Sequence, residues 1–155
     1  LNPGYVKGHW DSYEAGAKST GRSVSRRDWR MVREVFVAET DEEAMQGSVG
    51  DMMGRMMRDY LLPLFEDFDF KDFLKHDSSV SDAEVTPEYC AEHNWLVGSP
   101  ETVAAKIEKT YNEVGGFGHL LIFCFDYADN PRPWRRSMEL LATEVMPRVA
   151  HLEGD

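Results

Sequence analysis

The stretch "VGGFGHLLIFCFDY", residues 114–127, decides how this chain folds. Glycines close a turn, and the chain then runs through seven residues, His119 to Phe125, without a formal charge before reaching Asp126 and Tyr127. A continuous apolar run bounded by glycine is the pattern of a strand buried on both faces, and such strands belong to parallel sheets covered by helices. The far end of that strand, at Asp126 and Tyr127, is therefore the place to look for function.

Working upstream, "VGSPETVAAKIEKTYNEVGG" reads as a helix. Ser99 is an N-cap, Pro100 suits the first helical position, Val103, Ile107 and Val114 form the inner face, and Gly115 ends it. Downstream, "NPRPWRRSMELLATEVMPRV" aligns Trp134, Met138, Leu141, Val145 and Val149 on one helical face, with Pro147 bending the last turn. Further towards the N-terminus, "DWRMVREVFVAET" has strong strand preference, with Trp29, Met31, Val32, Val35, Phe36 and Val37, and predicts a second interior strand over about 29–38. Thr40 then opens "TDEE", a capping box for a helix whose apolar positions from Met45 to Leu64 follow helical spacing down to Pro63, which disfavours continuation. Residues 5–20 place Val6, His9 or Trp10, Tyr13 and Ala17 on one face of a surface helix. The segment from Glu66 to Leu96 breaks this rhythm, with acids among Phe68, Phe70 and Phe73 and then serine and aspartate. Such a long excursion is expected to be a lid or a linker, most mobile from Lys75 to Ala83.

Two interior strands joined through helices predict an α/β layered fold or a (βα)8 barrel, with the two strands parallel and adjacent. Two parallel strands cannot shield their own edges, so other strands must come from elsewhere. A chain of 155 residues can bury roughly 70% of its unfolded surface as one domain. The balance of 17 basic and 28 acidic residues, a net charge of -11, repels nucleic acid and anionic membranes. Cys90, in a loop-helix segment, and Cys124, in the apolar strand, form no CxxC pair, which fits a reducing cytoplasm. No apolar stretch reaches the roughly 20 residues that span a bilayer. The chain opens on "LNPGYVKGHW" without methionine and is read as a possible fragment.

Each candidate residue has a functional and a structural reading. Asp126 and Tyr127 either orient a substrate or cofactor, or serve as a capping carboxylate and a half-buried phenol. The amides after Ser99 either hold an anion or are ordinarily capped. The methionine stripe reads as core, and Arg132, Arg135 and Arg136 read as a solvated helix start. The five histidines, His9, His76, His93, His119 and His151, show no metal-ligand spacing.

Taken together, "DWRMVREVFVAETDEEA", "WLVGSPETVAAKI" and "GGFGHLLIFCFDYADNPRPWRRSMELLATEVMPRV" resemble the C-terminal portion of the luciferase-like flavin-dependent monooxygenases, closest to the limonene-monooxygenase-like branch. The resemblance covers nearly the whole chain and is weakest between Asp67 and His93. It implies an α/β fold of which residues 1–155 are a single partial domain: the C-terminal part of a TIM-type barrel, two parallel strands with flanking helices and a long insertion at about 66–97. It implies reduced FMN supplied by a separate flavin reductase, dioxygen, a small apolar organic substrate and a homo-oligomer. Deazaflavin-dependent hydride transfer and a non-catalytic barrel subunit remain as alternatives. It places Asp126 and Tyr127 on the catalytic rim as substrate-binding residues. In the insertion it puts Phe70 where family members carry a flavin-contacting tryptophan, with packing but no N–H donor. The family's principal flavin-phosphate and catalytic residues fall before Leu1, so no catalytic residue is assigned.

Overall fold

In a computed structural model that describes residues 1–152, three parallel strands form one sheet in the order β2-β1-β3. Strand β1 is Arg30–Val37, β2 is Leu96–Gly98 and β3 is His119–Phe123. The two apolar runs are indeed parallel neighbours, in register from Arg30 opposite His119 to Glu34 opposite Phe123. The expectation of two strands is corrected by β2, which pairs with the last three residues of β1, from Val35 opposite Leu96 to Val37 opposite Gly98. Three residues carry too little pattern to be told from a turn, and here burial rather than periodicity makes the strand: all three are buried.

Helix α1, Pro3–Ser19, leads into β1 and buries Val6 and Trp10 but leaves Tyr13 exposed. The basic cluster after it has a structural use. Arg26 lies over the rings of Trp10 and Trp29, 4.4 and 5.3 Å from their centroids, and donates to the carbonyls of Val114 and Gly116. A cation there complements the C-terminal end of helix α6, Pro100–Val114, which stops at Gly115 in the left-handed conformation (φ 82°). Its other end is capped by Ser99, whose hydroxyl accepts from the amide of Thr102.

Helix α2, Asp41–Ser48, starts at Thr40, whose hydroxyl accepts from the Glu43 amide at 3.1 Å. The chain then continues through α3 (Met52–Met56), a π-helical turn (Met57–Leu61) and α4 (Leu62–Asp67), so the helix passes through Pro63 rather than stopping there. The same arrangement recurs at the C-terminus, where α7 (Pro131–Leu140), a π turn (Leu141–Val145) and α8 (Met146–Val149) run through Pro147. The widened turn removes the demand for the proline's missing N–H and makes room for its ring. Met53 and Met57 are buried core. The loop-helix segment expected around Cys90 is helix α5 (Pro87–His93) within the insertion, started by Thr86, with Cys90 buried and its thiol pushed up to about 12 by that burial.

The sheet is covered unequally. Val35, Val37, Leu120 and Ile122 pack against α6 and α7, while Phe36 and Val97 on the other face pack with Met53, Met57, Trp95 and the insertion. The first half of that second face is bare: Val32 is 50% exposed, Leu121 and Phe123 44% each. The expectation that β3 is buried on both faces is therefore corrected, as is that of a buried Cys124, which is exposed just past the strand. β3 is an edge strand in this sheet, and among the described residues only one layer of helices reaches its middle.

Candidate functional site

The C-terminal ends of parallel strands collect the loops and helix starts that build sites. Here the end of β1, from Phe36 to Glu39, opens on a cleft of about 500 Å³ walled by Gln46, Gly47 and Asp51 on one side and Asn130, Pro133 and Arg136 on the other. Its fixed point is an ion pair. Arg136, from the second turn of α7, donates to Glu39 Oε1 from Nε (2.9 Å) and Nη2 (2.5 Å), and from Nη1 to Glu139 (3.3 Å).

The floor of the cleft is built by a close approach. A Cβ on Gly47 would sit 2.5 Å from the Phe36 ring, so only glycine lets α2 lie on β1 here. Tyr127 holds the same point from below, its hydroxyl donating to the Gly47 carbonyl at 3.1 Å and its ring stacked on Trp134 at 5.3 Å and 7°. Burial, with the charge of Asp51 adding to it, pushes the Tyr127 phenol well above its ordinary value, so it stays protonated as a donor.

The residues anticipated from sequence are only partly brought together. Tyr127 is buried and supports the cleft without lining it. Asp126 is exposed beside it, one carboxylate oxygen accepting from the Ala128 amide at 3.0 Å, so it caps the turn rather than the helix. Phe70 stands apart from the cleft, 44% exposed, in a row of rings that runs from Phe68 through Phe70 and Phe73 to Tyr5 on α1. Arg132 and Arg135 are exposed, but Arg136 belongs to the cleft. The cleft's Glu39 and Arg136 lie 97 residues apart in sequence, which no local pattern signals.

The start of α6 does hold an anion, supplied by the protein itself. Asp41 accepts from the Ser99 amide (2.6 Å) with one oxygen and from the Thr102 hydroxyl (3.0 Å) with the other. These bonds, the Ser99 amide first, hold the Asp41 carboxyl below the ordinary carboxylate value.

No family model matches the chain. Among solved structures, the oxygenating constituent of 3,6-diketocamphane monooxygenase from Pseudomonas putida, a type II Baeyer-Villiger monooxygenase in complex with FMN, superposes with a TM-score of 0.85 at 33% identity over 92% of this chain. The 2,5-diketocamphane 1,2-monooxygenase 1 of the same organism is 34% identical over 146 residues, 93% of this chain. The chain is similar over nearly its whole length to part of the luciferase-like monooxygenases. Limonene 1,2-monooxygenase of Rhodococcus erythropolis, at 28% identity over 151 residues, is a more distant relative of this chain. The chain spans 40% of the 2,5-diketocamphane enzyme and 39% of the FMN-bound structure.

Proposed function

We propose that residues 1–155 are a single partial domain, the C-terminal part of a (βα)8 barrel, in a monooxygenase that uses reduced FMN and dioxygen on a small apolar organic substrate. The carrying observation is the fit, over nearly the whole chain, to an FMN-bound monooxygenase at a TM-score of 0.85. The bare sheet face supports the barrel. Val32, Leu121 and Phe123 have the apolarity of a lumen wall, and strands from outside the described residues would enclose them.

This chain's residues do not fit the phosphate end of FMN. Glu39, Glu43 and Asp51 border the cleft, and Arg136, the only cation lining it among the described residues, is already taken by Glu39 and Glu139. A phosphate would meet like charge there, so its grip belongs to other parts of the barrel. The apolar face suits a planar ring or an apolar substrate. In this reading Asp126 orients substrate at the rim, Tyr127 stacked on Trp134 fixes the cleft floor from behind through Gly47, and Phe70 packs the insertion towards the flavin. Reduced FMN, supplied by a separate flavin reductase, contributes the electrons that activate dioxygen. The two free thiols fit a cytoplasmic setting, and the uncovered face fits a homo-oligomer or a completed barrel.

The test supplies the complete protein containing these residues with reduced FMN, isotopically labelled dioxygen and a panel of cyclic ketones and terpenes. One labelled oxygen atom in an organic product is expected. Substrate turnover that proceeds equally without oxygen, or only with reduced deazaflavin, would overturn the reading.

A further inference from the structure

Arg33 is a charge in the middle of β1 with 2% of its surface exposed. Its Nη1 donates to the carbonyl of Leu1 at 3.1 Å. Its Nε and Nη2 are buried and have no acceptor among the described residues. These two N–H groups point the same way, as the prongs of one fork, and are the pair that grips a carboxylate side-on. The same two atoms of Arg136 converge on one oxygen of Glu39, so the same prongs already take a carboxylate elsewhere in this protein. Glu34 and Glu113 attract Arg33 electrostatically, but neither bonds to it, and a guanidinium does not escape burial by losing its proton. A buried fork with no anion is an unfinished contact.

A second observation says what finishes it. A groove of about 330 Å³ is bordered on one side by α1, at Val6 and His9, and on the other by every residue from Trp29 to Glu34. Side chains alternate between the faces of a strand, so a groove that touches six in succession runs along the strand's edge. β1 pairs with β3 over residues 30–34 and with β2 only over residues 35–37. Among the described residues no strand pairs with its other edge over residues 30–34, and open edges of this kind take up extended chains. In a protein of net charge -11 this edge carries two guanidinium groups, buried Arg33 and exposed Arg30, against one carboxylate, Glu34, so an excess of positive charge there favours an incoming acid.

We propose that the open edge of β1 over residues 30–34 takes an acidic extended polypeptide segment from outside the described residues, whose Asp or Glu carboxylate fills the vacant Nε and Nη2 fork of Arg33. That the added strand runs parallel rests on the barrel reading. The carboxylate rests on Arg33 alone and holds whatever the assembled protein oxygenates.

The experiment selects a random ten-residue peptide library on immobilised residues 1–155, then measures the enriched peptides against Arg33→Gln and Arg33→Lys chains and against amide-for-acid versions of the peptides. Enriched peptides are expected to share one Asp or Glu, to bind at least about tenfold more weakly when that acid becomes its amide or when Arg33 is replaced, since a bidentate pair is lost, and to slow amide exchange at residues 30–34. Arg33→Lys keeps the charge without the fork, and the amide-for-acid peptides test the contact even where an Arg33 variant fails to fold. No enrichment, an acid-free consensus or indifference to Arg33 would overturn the proposal. Acid-dependent binding that acetate competes away without slowing exchange at residues 30–34 would also overturn it, by showing a site for a free carboxylate. A structure of the complete protein with a strand on this edge but no acid at Arg33 would overturn this inference and leave the barrel reading standing.

Discussion

Val37, the last residue of β1, gives its amide to the hydroxyl of Ser137 at 2.8 Å, and both residues are buried. Ser137→Ala leaves that amide without an acceptor, and an orphaned buried donor costs about 1–3 kcal/mol. Urea unfolding is expected to show a loss in that range, and an unchanged midpoint would mean that Val37 finds another acceptor. Asp41 answers to pH as well. Its folded pKa is depressed, so its contribution is complete above the unfolded value and is lost as pH falls through the folded one. The gap in thermal midpoint between the parent and Asp41→Asn is therefore expected to be open at about pH 7 and to narrow progressively as pH falls below the ordinary carboxylate value of about 4. A gap that persists in acid would show that packing around Gly98 and Thr102, not the charge, makes the difference.

At the scale of elements, one cluster of rings ties His76 in the middle of the insertion to α5. His76 and His93 stack with centroids 4.1 Å apart, and the Tyr89 hydroxyl meets the His76 amide and Nδ1, each at 2.8 Å. His93 is also faced by Glu92, Lys106 and Lys109, and its pKa is lowered, by burial first and by His76 next. A histidine with a depressed folded pKa stabilises above its unfolded value, and that stabilisation is lost as pH falls below it. Amide exchange in residues 75–83 is expected to speed up on going from about pH 7.5 to about pH 5.5, beyond the intrinsic change, and His93→Phe is expected to remove this response. An equal response in the variant would clear the histidine pair of the role. The polar contacts inside that stretch are local, Asp77 with Ser79, Ser81 with Glu84 and Lys75 with Asp82, and Val80 packs against the core, so the ring cluster is the stretch's polar tie to α5.

For the whole molecule, the uncovered part of the sheet is the dominant fact. Val32, Leu121 and Phe123 form an apolar face that water reaches, and bare faces of this kind drive association. Residues 1–155, titrated with oxidised and reduced FMN while mass is followed by light scattering, are expected to self-associate and to bind neither form below micromolar concentration. Leu121→Ser with Phe123→Ser is expected to lower the mass. Submicromolar binding by a monomer would mean that the flavin site lies within these residues after all.

What was legible in the sequence is local. The Ser99 and Pro100 start and the Gly115 stop of α6 are chosen by atoms within one helical turn of one another, and the apolar runs of β1 and β3 announce themselves by composition. Even the pairing of those two strands follows, because interior strands joined through helices have few ways to meet. The third strand, the bare face of β3, the Glu39–Arg136 pair and the empty fork of Arg33 have no local signature. Each depends on which segments the sheet order brings together: Asp41 reaches Ser99 across 58 residues, and Ser137 reaches Val37 across 100. Burial is a property of neighbours, so an apolar run such as that of β3 specifies a strand, while the number of faces that strand hides is settled only by what packs against it.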